Sequence, residues 1–226
     1  MILSNNDRLK TANLLNVGLL DYEKAWQLQR KIHQKRVSGE SPDTLIFCEH
    51  PHTYTIGKTG YDAHLLADEN TLARQGVQVH RIDRGGDITY HGPGQIVGYS
   101  ILDLHDHYLD VHRYLRDIEQ VIINTLAEYD IRAERDESYT GVWVNGEKIA
   151  AIGVKVSRWV TMHGFAFNVN VDLSYFNNIV PCGISDKAVT SLGSLKRQKM
   201  DMREVVGKVA DNFSDTFGLN FEKRDE

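Results

Sequence analysis

Leu115, Ile118, Ile122 and Leu126 recur three and four positions apart, the spacing that lines one face of a helix. Residues 21–36 set Tyr22, Trp26 and Ile32 among charged neighbours and are expected to be helical as well. Near the end, Asp201 and Glu204 form a capping-box pattern ahead of Val205, Val209 and Phe213, the expected buried side of a last helix. Short apolar runs predict strands at 44–48 and 53–56, around the turn-prone Glu49-His50-Pro51-His52, and again at 77–82 and 95–104. Runs 141–144 and 148–156 flank Asn145-Gly146, the preferred two-residue hairpin turn, and 163–171 reads as a further strand. Strands and helices that interleave with hairpins predict an α/β fold of the α+β type, a mixed sheet flanked by helices, in one domain over residues 1–226.

Composition narrows the function classes. Of 226 residues, 41% are hydrophobic, enough for a sizeable core. The formal charge of −5 gives no global reason to bind nucleic acid. With Cys48 and Cys182 as the two cysteines, the chain is no disulfide scaffold and reads as cytoplasmic. The first ten residues are polar and lack the apolar centre of a signal peptide, and no apolar run approaches 18 residues, so no membrane span is expected. Ten histidines raise the question of metal. No two-Cys, two-His set and no His-Glu-x-x-His occurs, so neither metal nor cofactor is expected.

Two stretches carry candidate chemistry. In Asn178-Ile179-Val180-Pro181-Cys182-Gly183-Ile184, proline stiffens the chain before the thiol and glycine removes steric cover after it, which suits a presented nucleophile. The plainer alternative is a small buried side chain, as free cysteines usually are; Cys48, in Leu45-Ile46-Phe47-Cys48, reads that way. The second stretch is Arg84-Gly85-Gly86-Asp87-Ile88-Thr89-Tyr90-His91-Gly92-Pro93-Gly94-Gln95. Its glycines allow close backbone approach, suiting a cradle for a polar head or thioester, or else a tight hairpin between two strands. It matches neither the dinucleotide nor the phosphate-loop fingerprint.

With these residues in view, the chain resembles the bacterial lipoyl(octanoyl) transferases, octanoyl-[acyl-carrier-protein]:protein N-octanoyltransferases. Four ordered blocks carry the likeness: His52-Thr53-Tyr54-Thr55-Ile56-Gly57; residues 84–95 on to Tyr99; Gly141-Val142-Trp143-Val144 with Lys148-Ile149-Ala150-Ala151-Ile152-Gly153; and His163-Gly164-Phe165-Ala166-Phe167-Asn168-Val169 on to Pro181-Cys182-Gly183-Ile184. Ser100 stands where the pattern has proline, and Phe167 where leucine is more usual. The resemblance implies a fold like the catalytic domains of biotin and lipoate protein ligases. It implies that Cys182 accepts the acyl group, that Lys148 is its partner, and that substrate is bound by Arg84, Gly85, Gly86, Asp87, Ile88, Thr89, Tyr90 and His91, by Ala151, Ile152 and Gly153, and by Gly164, Phe165 and Ala166. The implied partners are octanoyl-acyl carrier protein, and as acceptors the lipoyl domains of 2-oxoacid dehydrogenases and the glycine cleavage H protein.

A thiolate attacks an acyl carbonyl where a thiol does not, and an ammonium beside it favours the thiolate. Taken alone, Lys148 reads as a solvated strand residue, and His52, His91 and His163 as either substrate-orienting or structural. Glu49 and His50 read as turn residues. Ile88, Ile152 and Phe165 are candidates to line an acyl slot. An ATP-dependent lipoate or biotin ligase is the alternative function; it makes an acyl-adenylate and needs no thiol. A binding module without catalysis is a third. Acidic protein partners would call for a local basic patch, and Lys196-Arg197-Gln198-Lys199, with Lys187 and Arg203, is the densest basic run near Cys182.

Overall fold

A computed structural model describes residues 9–180 and 188–223. Cys182 and Lys187 lie outside the described residues. The strands are β1 (Lys10–Leu19), β2 (Thr44–Glu49), β3 (Thr53–Ile56), β4 (Gln78–Arg81), β5 (Ile88–His91), β6 (Gln95–Ile101), β7 (Val142–Val144), β8 (Glu147–Ser157), β9 (Val160–Asn168) and β10 (Leu219–Lys223). The helices are α1 (Tyr22–Val37), α2 (Glu69–Gln75), α3 (Val111–Ala127), α4 (Leu192–Lys196) and α5 (Met202–Phe217). Among the described residues the strands form a seven-stranded mixed sheet in the order β10-β1-β2-β6-β9-β8-β7 and a three-stranded sheet β4-β3-β5. The mixed sheet flanked by helices is the architecture expected from the sequence. No described helix is long and apolar enough to cross a membrane.

The main core lies where α3 and α5 cover one face of the large sheet. Tyr114, Ile118, Val121, Ile122 and Leu126 of α3 meet Val205, Val209 and Phe213 of α5 over Phe165 and Phe167. Leu115, placed on that stripe by its spacing, is only half-buried; Tyr114 and Val121 take the central places. Helix α1 covers the opposite face. Asp21 caps it, accepting from the backbone N–H groups of Glu23 and Lys24. Its buried side is Tyr22, Ala25 and Gln29.

Several expectations are corrected. The strand expected over 95–104 ends at Ile101, with Leu104 opening a 3₁₀ turn, and the strand expected over 163–171 runs Val160–Asn168. The 84–95 stretch is no hairpin between the strands around it. It holds β5, which pairs antiparallel with β3, and its neighbours β4 and β6 belong to different sheets. The capping box is only half formed: Asp201 accepts from Arg203 N–H, while Glu204 takes the Tyr129 hydroxyl. Glu49 and His50 are more than turn residues, since Glu49 Oε2 accepts the Gly94 N–H at 2.6 Å and His50 is fully buried. The Asn145-Gly146 turn forms as expected, with φ of 53° and 81°. A second such turn, Arg158-Trp159, joins β8 to β9 with φ of 53° and 61°.

Candidate active site

On the α1 face of the large sheet, four of the smallest residues meet across two strands. Ala151 of β8 pairs with Ala166 of β9, and Gly153 with Gly164. The adjoining pairs are Val97 with Ala166 and Tyr99 with Gly164. This nearly bare stretch of sheet floors a cleft of about 770 Å³ of empty space, its open mouth included. The spacing is tight: a Cβ on Gly153 would lie 2.9 Å from Gly85 O and from Arg84 Cδ, and one on Gly164 would lie 2.1 Å from Gly98 O.

The glycine-rich stretch arches over this floor. Gly57, Lys58 and Thr59 donate their backbone N–H groups to the carbonyls of Asp87, Arg84 and Gly86. Gly85 N–H reaches Val154 O on β8 at 2.9 Å. A Cβ on Gly57 would lie 2.2 Å from Gly86 O, so the stitched arrangement requires glycine there. Arg84 is buried, and its Nη2 donates to Thr55 O at 2.8 Å and Thr55 Oγ1 at 2.9 Å. The Thr55 hydroxyl in turn donates to His91 Nε2, and His91 Nδ1–H donates to Gln95 Oε1 at 2.8 Å. Gln95 Nε2 continues to Asn168 Oδ1, and Asn168 Nδ2 to Thr190 O. Burial holds His91 well below the usual imidazole range. His91 is therefore a neutral link in a chain of bonds that fixes the floor strands to the loop.

Of the residues singled out from sequence, Arg84, Gly86, Asp87, Ile88, Thr89 and His91 line the cleft, as do Lys148, Ala151, Ile152, Gly153, Gly164, Phe165 and Ala166. The Tyr90 side chain packs away from it, among Tyr54, Tyr175 and Phe176, with His52 Nδ1 at its hydroxyl. Gly85 contributes its link to β8. Lys148 is buried, with Nζ 4.7 Å from the centre of the Trp143 ring. Its N–H donates to Ala188 O and its C=O accepts from Thr190 N–H, so the chain just after residue 187 runs beside it. The basic run lies on α4 and just beyond, with Lys196 Nζ bonded to Tyr129 O.

Tyr22, Tyr99, Gln95, Asn168, Phe176 and Val189 also line the cleft without having been singled out as site residues. The Tyr22 hydroxyl meets that of Tyr99, and Tyr99 donates to His50 Nε2 at 2.7 Å. His50 Nδ1–H is spent on Leu20 O. His163, another cleft residue, donates Nε2–H to Asp83 Oδ1 at 2.9 Å, and the Gln29 side chain holds its backbone N–H.

Burial lowers His50 to about 4 and pushes His163 down in the same sense. The unfolded chain binds protons at these imidazoles from pH ~6.5 downward, whereas the folded chain does so only at lower pH. Stability is therefore full above pH ~6.5 and falls toward pH 4, by up to ~3 kcal/mol through His50 alone. We expect a lower melting temperature at pH 5 than at pH 7.5, and a flatter profile in His50→Gln. Equal melting temperatures at the two pH values would contradict this account.

The model of the lipoyl protein ligase A/B catalytic domain matches residues 21–214. A protein of Flavobacterium psychrophilum named octanoyltransferase is 47% identical over 225 residues, covering 92% of this chain and 97% of its own. One of Caldicellulosiruptor saccharolyticus with the same name is 49% identical over 211 residues, covering 92% and 90%. The chain belongs to the lipoyl protein ligase A/B catalytic-domain family, and within it to the octanoyltransferases. It is an acyltransferase. Among solved structures, a bi-partite lipoate protein ligase from Thermoplasma acidophilum superposes with a TM-score of 0.76 at 18% identity, covering 96% of this chain and 88% of that one. A biotin protein ligase from Aquifex aeolicus gives 0.55 at 16% identity, covering 91% and 70%. At such identities these structures speak for the fold alone.

Proposed function

We propose that this chain moves an octanoyl group from octanoyl-acyl carrier protein to the lysine of a lipoyl domain, in lipoate biosynthesis, through a thioester on Cys182. The carrying observation is a cleft whose floor is stripped of side chains beside buried Lys148, in a chain about 47% identical to proteins named octanoyltransferase. Cys182 attacks the carrier thioester carbonyl, the carbon–sulfur bond to the carrier breaks, and Lys148 returns a proton to the departing thiol. The neutral amine of the acceptor lysine then attacks the acyl-enzyme. Its carbon–nitrogen bond forms, the bond to Cys182 breaks, and the amine proton passes by way of Lys148 to restore the resting pair. The thioester already carries the acyl group at high energy, so no ATP is consumed.

An octanoyl chain suits a floor whose side chains end at Cβ at Ala151 and Ala166 and that carries none at Gly153 and Gly164. Burying its six methylenes contributes up to roughly 5 kcal/mol of gross affinity. Cys48 is no rival nucleophile: it is buried in β2, and burial pushes its thiol up. The acceptors are the lipoyl domains of 2-oxoacid dehydrogenases and the glycine cleavage H protein, in the cytoplasm, served by one catalytic domain spanning the chain. On mixing with octanoyl-carrier and no ATP, intact-protein mass is expected to show one octanoyl adduct, removed by hydroxylamine and discharged by a lipoyl domain. Strict dependence on ATP, with no adduct, would favour a ligase.

A further inference from the structure

Asp87 lies in the glycine-rich loop, lines the cleft and is 8% exposed. Its Oδ2 accepts His64 Nδ1–H at 2.5 Å. His64 ends a 3₁₀ turn, Asp62–His64, and its main chain makes a second attachment. His64 O accepts Val180 N–H at 2.8 Å, Leu66 N–H donates to Asn178 O at 2.8 Å, and Leu65 and Ile179 form a β-bridge. The turn is thus laddered to residues 178–180 and tied by one side chain to the loop. Gly60 lets the connecting chain pass: a Cβ there would lie 2.5 Å from Ile56 Cγ2 and 3.0 Å from Asp87 Oδ1.

We propose that Asp87 and His64 form a clamp that fixes the chain entering the Pro181-Cys182 sequence against the substrate loop, which makes His64 a positioning residue for acyl transfer. The proposal rests on the functional reading above. Val180 stands two residues before Cys182 in sequence, so the clamp acts on the described chain that leads to the proposed nucleophile. Attack requires near-contact geometry, and a misplacement of about 1 Å costs up to roughly a hundredfold in rate. A carboxylate–imidazole bond is short and directional, which suits it to such a tie. Backbone bonds from Gly57, Lys58 and Thr59 and the apolar cluster that Leu65 and Ile179 share with Ile88 and Tyr90 also hold these segments to the loop; the Asp87–His64 bond adds the directional side-chain tie at the cleft.

The test compares His64→Ala, Asp87→Ala, the double variant and His64→Asn, whose amide N–H stands near the Nδ1 position. Each is measured for the rate of Cys182 acylation by a small octanoyl thioester, the rate of Cys182 alkylation by iodoacetamide, and melting temperature. We expect each alanine variant to acylate about tenfold more slowly, the double variant to be no worse, and His64→Asn to recover most of the loss. Alkylation, which needs no docking on the loop, should stay within about twofold of wild type, and melting should change little. Unchanged acylation in the alanine variants overturns the clamp. So does a loss matched by lower melting temperature or slower alkylation, or a His64→Asn variant as slow as His64→Ala. An absent adduct on wild-type Cys182 would overturn the functional reading itself, and is seen before any variant is compared.

Discussion

Cys182→Ser is expected to form no hydroxylamine-sensitive adduct and to lose octanoyl transfer by about a thousandfold or more. On the proposed mechanism a serine hydroxyl is far less ionised than a thiol, and an oxygen ester is a poorer donor to the acceptor amine than a thioester. Cys48→Ala is the control. Its side chain packs in one cluster with Ile46, Val97 and Ala166, and its Sγ lies 3.5 Å from His50 Nε2. That variant should lose some stability through the small cavity it leaves, but keep its adduct and most of its turnover. The measurement is intact mass after exposure to octanoyl-carrier, alongside transfer to a lipoyl domain. If Cys48→Ala were the variant without the adduct, the nucleophile would be wrongly assigned.

The parts of the fold written in local pattern were legible. The α3 stripe, the Asn145-Gly146 turn and the apolar runs of β2 and β3 each follow from spacing or from one turn dipeptide. The elements left unassigned depend on distant partners. β1 pairs parallel with β10 and with β2, so its fit rests on strands far off in the chain. The α2 helix has no fully buried residue and so no core-facing stripe to read. The Arg158-Trp159 turn puts two bulky residues at positive φ, where asparagine or glycine is the usual sign.

The candidate site divides the same way. Cys182 and the glycine-rich stretch stand out as motifs, whereas Lys148 taken alone reads as a solvated strand residue; the resemblance implied roles for them that spacing could not. Gln29 shows the other case. It looks like an ordinary polar residue on a helix, yet it is fully buried, with Oε1 holding the His163 N–H. His64 likewise sits outside every recognisable block and acquires its place from Asp87 and Val180. Such residues bond across long sequence separations, and a single sequence does not display those pairings. The resemblance implied Ala151, Gly153, Gly164 and Ala166 as substrate-binding residues, but only strand register sets Ala151 against Ala166 and Gly153 against Gly164 as one bare floor.

Lys148→Met should lower octanoyl transfer by about a hundredfold while leaving the chain folded. Methionine keeps an unbranched stem against Trp143 and removes the ammonium that now stands 4.7 Å from that ring. The backbone bonds from residue 148 to Ala188 and Thr190 need no side chain, so the strand pairing at this end of the cleft persists. On the proposed mechanism two losses then combine: the thiolate of Cys182 loses the cation that favours it, and Lys148 no longer carries protons to the departing thiol or from the attacking amine. The first has a direct readout in the rate of iodoacetamide alkylation against pH. Removing a cation raises the thiol pKa, so the variant's profile should move to higher pH, with slower alkylation at neutrality. A profile that superimposes on wild type would sink the coupled pair. Any remaining loss of transfer would then have to come from substrate contacts made by Lys148.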